Sequence, residues 1–368
     1  MMTNSLKYYL SIQKERLNDI QTITSTQKKV NKPSDSPVAA GQILNDRISI
    51  SRTGQYQSNI TQAQTWIKAD NNVLDTAYSL LDDAENILVD QSSSNTEDNR
   101  NDMITTLTGY YDQIVDYADT TYSNGEYLYS GDRTTSKPFA DETAVSGGAA
   151  QDLSFDLASA ASTVNIKITN QSGEVVRNMT LTSGVAGTNT VAWDGLNDSG
   201  VAVADGTYNY TISAADSSGA AVASYCTYRG ADGEKAVIIG ENKTVDLNKN
   251  GGAIFSPALK ALSEAITALK TEPFDTAGLT TPLADLKAAM STMKKEMNDV
   301  AAKNDRITAV NDSLSQALVY YQNQLSDVET ADLDQASVEL QAQETNYTAT
   351  INTISSIQKL EGLITHLS

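Results

Sequence analysis

Apolar residues toward the end of the chain recur at a period of seven. Leu333, Leu340, Tyr347 and Ile354 fall seven apart, and Ile357 and Ile364 repeat the step. That period belongs to a helix whose narrow apolar seam lies against another helix. Gln341, Gln343, Glu344, Asn346 and Thr348 surround the seam with polar groups. So thin a stripe cannot bury a long helix by itself, and a partner is required. Near the other end Leu6, Leu10, Leu17, Ile20 and Ile23 form a matching stripe, flanked by Tyr9 and Ile12. It predicts a helix to about Val30, and the two terminal helices are expected to pair.

Between them, Asn31-Lys32-Pro33-Ser34-Asp35-Ser36-Pro37 cannot continue a helix. Ser36 reads as an N-cap with Pro37 in the first helical position, which predicts a second helix to about Ser51. Three-to-four spacing of Ile60, Trp66, Ile67, Val73, Leu74, Leu80, Leu81, Ile87 and Leu88 predicts a separate helix over 57–91. A further one over 97–123 should end at Asn124-Gly125, a usual C-cap pair. From Tyr127 to Phe255 the pattern alternates and is rich in Gly, Thr, Ser and Val, so it predicts strands. Helix resumes at Ser256-Pro257 and at Thr281-Pro282, with 283–326 as one amphipathic helix and an interruption near Thr330–Asp334.

Within the β region, Val164, Ile166 and Ile168 alternate, Gln171-Ser172-Gly173 turns, and Val175-Val176 with Met179 and Leu181 return. Six or seven such strands suggest a β-sandwich, with Trp193 and Tyr208 as its core aromatics. The fold class is therefore mainly α with a β insertion. Both chain ends form a long antiparallel helical bundle or coiled-coil rod, carrying a β-hairpin segment and an inserted sandwich. The expected division is 1–52 terminal helix and linker, 53–140 N-terminal half of the rod, and 141–224 the sandwich. Then follow 225–255 as β-hairpin, 256–330 as the C-terminal half of the rod, and 331–368 as the terminal helix.

An aromatic content of only 6% and six prolines suit such an extended molecule. The net charge of −20 speaks against nucleic acid, whose phosphates need a basic face. Charge is also unevenly spread. Residues 1–60 hold eight basic and four acidic side chains, while 301–368 hold three basic and nine acidic, so the two ends are electrostatically matched. Cys226 is the only cysteine, which excludes an intramolecular disulfide. The N-terminus shows no signal-peptide pattern and no apolar run approaches spanning length, so no membrane insertion is expected.

Candidate chemistry is sparse. Asp194, Asn197 and Asp198 with Gly200 would place oxygen ligands near one another, but not at EF-hand spacing. Ser291-Thr292-Met293-Lys294 matches a Ser-x-x-Lys pattern inside an amphipathic helix without its companion motifs. His366 stands alone, and no Gly-rich phosphate loop is present. No catalytic residue, metal or cofactor is assigned, and enzyme activity is not expected. Asn178-Met179-Thr180 is a sequon on which nothing further rests.

The order and spacing of several motifs resemble the flagellin superfamily, in particular its hook–filament junction subunits. They are Asn31-Lys32-Pro33-Ser34-Asp35-Ser36-Pro37-Val38-Ala39-Ala40, Gln55-Tyr56-Gln57-Ser58-Asn59-Ile60, and Asn124-Gly125-Glu126-Tyr127-Leu128-Tyr129-Ser130-Gly131 with Lys137-Pro138-Phe139. Tyr228-Arg229-Gly230-Ala231-Asp232-Gly233, Gly252-Ala253-Ile254-Phe255 and Asn304-Asp305-Arg306-Ile307 fit as well. Two places depart from the family: the start lacks its Arg-Ile-Ser/Thr opening, and the end is less apolar. Residues 152–224, with Trp193-Asp194-Gly195 and Asp205-Gly206-Thr207-Tyr208, are similar to the immunoglobulin-like domain of flagellar hook-cap proteins.

The resemblance implies a structural subunit, exported unfolded by the flagellar type III route with a chaperone and located outside the cell in the flagellum. It implies assembly with copies of itself and with a neighbouring hook-associated protein and filament flagellin. The seam residues would be Leu6, Leu10, Leu17, Ile20, Leu333, Leu340, Tyr347, Ile354, Ile357 and Ile364. A filament flagellin is the alternative, although flagellins show a different run where Pro33-Ser34-Asp35-Ser36-Pro37 stands. An adhesin acting through the insert is a second alternative, and it would need aromatic residues exposed on a sandwich face.

Overall fold

The structure, a computed structural model, describes residues 2–90, 97–122, 125–139, 143–146 and 150–367, with side chains described except at 2–7, 143–146 and 360–367. It is mainly α with a β insertion. Two compact units divide it: Met1–Ser58 with Val310–Ser368, and Asn59–Ala309.

The first unit contains α1 (Met2–Thr26), part of α2 (Pro37–Asp90), part of α5 (Thr280–Glu329) and α6 (Leu333–Leu367). α1 packs along α6, and the segments joining them to α2 and α5 are hydrogen-bonded to each other. α1 stops at Thr26, four residues short of the expected Val30. Gln27 takes φ 61°, a left-handed closure, and Lys28 then pairs antiparallel with Thr330. α2 begins as expected, with Ala39 N donating to Ser36 Oγ at 3.4 Å and Pro37 in the first turn. α6 is capped by Asp332, whose carboxylate accepts from Gln335 N at 3.0 Å.

One expectation needs correcting here. The two helices predicted over 37–51 and 57–91 are a single helix, Pro37–Asp90. Gly54 costs about 1 kcal/mol relative to alanine inside a helix. A break would instead create two helix ends with unsatisfied backbone groups. Thr53 and Ile60 on either side are both buried, so the inward face also runs on.

Among the described residues the second unit holds the remaining parts of α2 and α5, α3 (Glu97–Ala118), ten strands and α4 (Gly251–Lys270). α3 ends at Ala118, short of the expected residue 123, because the chain turns away there. Leu128 N donates to Thr120 O, and the Asp119 carboxylate accepts from Phe139 N at 3.0 Å and pairs with Lys137 at 3.4 Å. Asn124 of the expected cap lies outside the described residues.

α4 starts at Gly251, five residues before the expected Ser256, so Pro257 falls inside the helix. The Asn250 side chain caps it by accepting from Ala253 N at 3.1 Å. A Cβ on Gly251 would lie 2.8 Å from both the Tyr129 Cβ and its carbonyl oxygen, so only glycine lets the helix start so close. Ile254, Phe255, Ala258 and Leu259 are all buried around the proline, and that burial outweighs its missing donor.

Antiparallel strands make a sandwich of two sheets. β1 (Thr143–Ser146), β6 (Gly206–Ala215), β3 (Thr163–Thr169) and β4 (Val175–Leu181) follow in that order, with β7 (Ala221–Val222) also on β6. The other sheet orders β5 (Gly187–Trp193), β2 (Gln151–Leu157) and β8 (Ser224–Tyr225). Period-two alternation sends Val164, Ile166 and Ile168 of β3 inward, facing Leu153, Phe155 and Leu157 of β2 in one core. β9 (Ala236–Gly240) and β10 (Lys243–Asp246) form the separate hairpin inside the expected 225–255 segment.

Candidate functional site

The described residues of α6 that are withdrawn from solvent between Leu333 and Lys359 are Ala336, Leu340, Gln343, Tyr347, Thr350, Ile354 and Ile357. Their spacings alternate four and three, the heptad of a helix-packing seam. On α1 the spacing Leu10, Gln13, Leu17, Ile20, Thr24 alternates three and four, and all five are withdrawn as well. Leu10, Leu17, Ile20, Leu340, Tyr347, Ile354 and Ile357, expected in the assembly seam, lie among these withdrawn positions.

Leu333 does not. It is the first residue of α6 and is 38% exposed, and Ala336 is the first buried position instead. Leu6 and Ile364 have side chains outside the described ones. Gln343, read from sequence as part of the polar surround, is in the seam: its Nε2 donates to Gln13 Oε1 and, at 3.5 Å, to the Gln13 carbonyl. Hydrophobicity hides Ala336, Gln343 and Thr350, because small and polar residues do not register as a stripe. Continuing the seven-residue spacing backward from Ile357 would have found them.

A clasp closes this unit where the linkers meet. Lys29 N donates to Glu329 O at 2.7 Å, and Ala331 N to Gln27 O at 3.0 Å. Glu329 Oε1 lies 2.5 Å from Lys28 Nζ and 2.6 Å from Arg47, so the charge match between the chain ends is realised on one carboxylate. The Lys28 hydrogen bond, aided by the charges of Arg47 and Lys28, holds the Glu329 carboxyl below its ordinary value of 4.5. In the preceding turn the Asp35 carboxylate accepts from the backbone of Asn31 and Lys32, at 3.0 and 2.8 Å, which lowers its pKa too. Both cations are about half exposed, so the clasp contributes about 1 kcal/mol or less.

Because the folded pKa of Glu329 is depressed, that contribution is complete above 4.5 and is lost as pH falls through the lower value. Glu329→Gln is expected to lower the melting temperature of the helical signal slightly at pH 7, with a smaller difference at pH 3. Equal differences at the two pH values would show that charge is not what the clasp uses.

In the second unit the motif stretches around Tyr129, Phe139, Tyr228 and Phe255 converge. Tyr129 meets Phe255 edge-on at 4.8 Å, and Phe139 lies 5.5 Å from Tyr228 and 6.3 Å from Phe255. Tyr228 OH donates to Tyr129 O at 3.0 Å, and Arg229 N to Pro138 O at 2.7 Å. Gly131 has φ +64°, and a Cβ there would fall 1.9 Å from the Ala231 carbonyl oxygen, so the motif needs glycine.

Beneath this cluster Tyr129 OH donates to Asp70 Oδ1 at 2.6 Å, with Asp70 2% exposed. Burial raises the Asp70 pKa to about 6, against the Tyr129 hydrogen bond and the charges of Lys249 and Lys303. Lys249, also buried, bonds Glu296 at 2.6 Å and Asp299 at 3.2 Å. Asp70 carried no signal in sequence, since a single carboxylate on a helix reads as a solvated face.

In the sandwich Trp193 and Tyr208 are buried and meet edge-on at 5.3 Å. The Asp194 to Gly200 loop spends its oxygens on its own turns and on β4. Asp198 accepts from Asn178 N and Nδ2, both at 3.0 Å, and Asn197 Oδ1 from Ser199 N and Val201 N. Among the described residues no group of three or more His, Cys, Asp or Glu could hold a metal ion, and no helix is long and apolar enough to cross a membrane.

Residues 1–134 match the bacterial flagellin N-terminal helical region, and residues 140–218 match the FlgD Ig-like domain. The chain is 30% identical over 130 residues to flagellar hook-associated protein 3 of Escherichia coli (strain K12), covering 35% of this chain and 41% of that protein. It is 31% identical over 120 residues to flagellar hook-associated protein 3 of Salmonella typhimurium, covering 32% and 38%. These alignments span about two fifths of the curated relatives. A solved structure described as a flagellar hook-associated protein from Vibrio parahaemolyticus shares the fold, with a TM-score of 0.54 at 17% identity over 80% of this chain and 100% of that one.

Proposed function

We propose that this chain, whose first 134 residues match the flagellin N-terminal helical region, is a structural subunit of the bacterial flagellum that joins hook to filament. The observation that carries the reading is the likeness to two flagellar hook-associated proteins 3. The subunit acts by self-assembly through its terminal helices. Leu6, Leu10, Leu17, Ile20, Leu340, Tyr347, Ile354, Ile357 and Ile364 form the assembly seam, which α1 and α6 close on one another before neighbouring copies add to it. A neighbouring hook-associated protein and the filament flagellin are its further partners. It leaves the cell through the flagellar export route with a chaperone and works outside the cell.

Tyr8, Tyr9, Val338 and Ile351 support an assembly role, since all are exposed on α1 and α6 and give neighbouring subunits apolar surface to cover. The adhesin reading lacks such support, because Trp193, Tyr208 and Tyr210 are buried in the sandwich. Immunogold labelling of flagella tests the role. One labelled band between hook and filament is expected, and label along the filament would transfer the assignment to flagellin. Leu340→Asp or Ile354→Asp should block assembly while the fluorescence of Trp66 and Trp193 stays native, because a charge in a packed seam is costly unless paired. Normal filament attachment in either variant would remove the seam from the mechanism.

A further inference from the structure

Gln13 and Gln343 make a polar layer inside an otherwise apolar or small-residue seam. Gln13 is 7% exposed, lies three residues after Leu10 and four before Leu17, and so occupies a core position. Gln343 occupies the equivalent place between Leu340 and Tyr347. Its amide donates to the Gln13 side chain and, at 3.5 Å, to the Gln13 carbonyl. A leucine at both places would bury more apolar surface, so this layer gives up stability that the seam could have had. One polar residue at a core position is a device that helix pairs use to fix register and partner.

We propose that the Gln13–Gln343 pair sets the register of α1 against α6 and restricts α1 to this one partner helix. Leu10 would pack almost as well against Ile354 as against Tyr347, and Leu17 almost as well against Tyr347 as against Leu340, so apolar contacts alone choose poorly between registers one heptad apart. The linker clasp pins the pair at one end, through Lys29 N to Glu329 O and Ala331 N to Gln27 O, and inside the seam the amides choose. A slip of seven residues one way sets Gln343 against Ile20 and Gln13 against Thr350, and the other way sets Gln13 against Ala336. Each slip leaves a buried amide facing a group that cannot replace its partner, and an unpaired buried amide is costly. The same penalty meets any foreign apolar helix that approaches α1. This assignment rests on the first unit alone and does not depend on the flagellar role.

Cysteine crosslinking in the full chain, with Cys226→Ser throughout, reads the register directly. Leu10→Cys with Tyr347→Cys reports the observed register, and Leu10→Cys with Ile354→Cys reports the slipped one. With both glutamines present the first pair should crosslink at least about tenfold more than the second, a preference worth about 1.4 kcal/mol. In Gln13→Leu/Gln343→Leu the ratio should fall toward one, and light scattering should show oligomers absent from the parent. A ratio unchanged in the double variant overturns the proposal.

A second measurement does not rely on cysteines in the seam. Each single glutamine-to-leucine change should lower the melting temperature, and the double change should restore or raise it. Additive losses in the double variant, meaning no coupling between the two amides, would equally overturn it.

Discussion

Trp193→Ala is expected to destabilise the sandwich by about 3–5 kcal/mol. Trp193 is fully buried at the end of β5, opposite Gln151 of β2, and its Nε1 donates to Leu196 O at 3.0 Å. It lies edge-on to Tyr208, whose hydroxyl donates to Ala204 O at 2.8 Å. Removing the indole therefore opens a cavity, strips an aromatic partner and leaves the Leu196 carbonyl without its donor. A domain has only about 5–15 kcal/mol in total, so the loss takes a large share. Calorimetry should show the sandwich melting at lower temperature, with the helical circular dichroism signal largely kept. A melt shifted by less than a few degrees would mean the core closes over the gap, and Tyr208 rather than Trp193 would then be its anchor.

Asp70→Asn is expected to stabilise the second unit, by an amount that grows from about pH 3.8 to about pH 6 and is complete above that. The folded pKa of Asp70 is raised from 3.8 to about 6 by burial. Stability linked to this group is therefore complete below 3.8 and is lost as pH rises through 6. The shift corresponds to about 3 kcal/mol. Asparagine resembles the neutral acid and keeps an oxygen for the Tyr129 hydroxyl. Denaturant unfolding at pH 8 should favour the variant by up to about that amount, and at pH 4 the two proteins should be nearly equal. A variant less stable at pH 8 would mean that the ionised carboxylate is held in place by Lys249, which is buried beside Glu296 and Asp299.

These two sites differ in how visible they are without a structure. Trp193 stands in an alternating stretch between glycine turns, and strand periodicity alone points its ring inward. Asp70 sits among Lys68, Asn71 and Asn72 on a helix, where the neighbouring pattern reads as solvated surface. Its hydrogen-bond partner is Tyr129, 59 residues further on, and the charge of Lys249 acts on it from beyond that. The clasp was half visible. Opposite charge at the two chain ends suggested attraction, but the choice of Glu329 with Lys28 and Arg47 depended on how the linkers turn.

The sequence by itself determined the features that depend on neighbours within a few residues. The heptad spacing of Leu340, Tyr347 and Ile354, the Ser36-Pro37 helix start and the alternation of Val164, Ile166 and Ile168 are all of this kind. Periodicity and capping act over one or two turns, so they are written locally. Tertiary structure decided whether α2 continues through Gly54, where α4 begins, and which residues fill the seam beside the aliphatic ones. In each case a local preference, about 1 kcal/mol at Gly54 and about 3 kcal/mol at Pro257, was set against burial by partners far away in the chain. The seam shows the division most clearly. Its period is local, but Gln343 enters it because Gln13, 330 residues away, supplies the hydrogen bond that makes burying an amide tolerable.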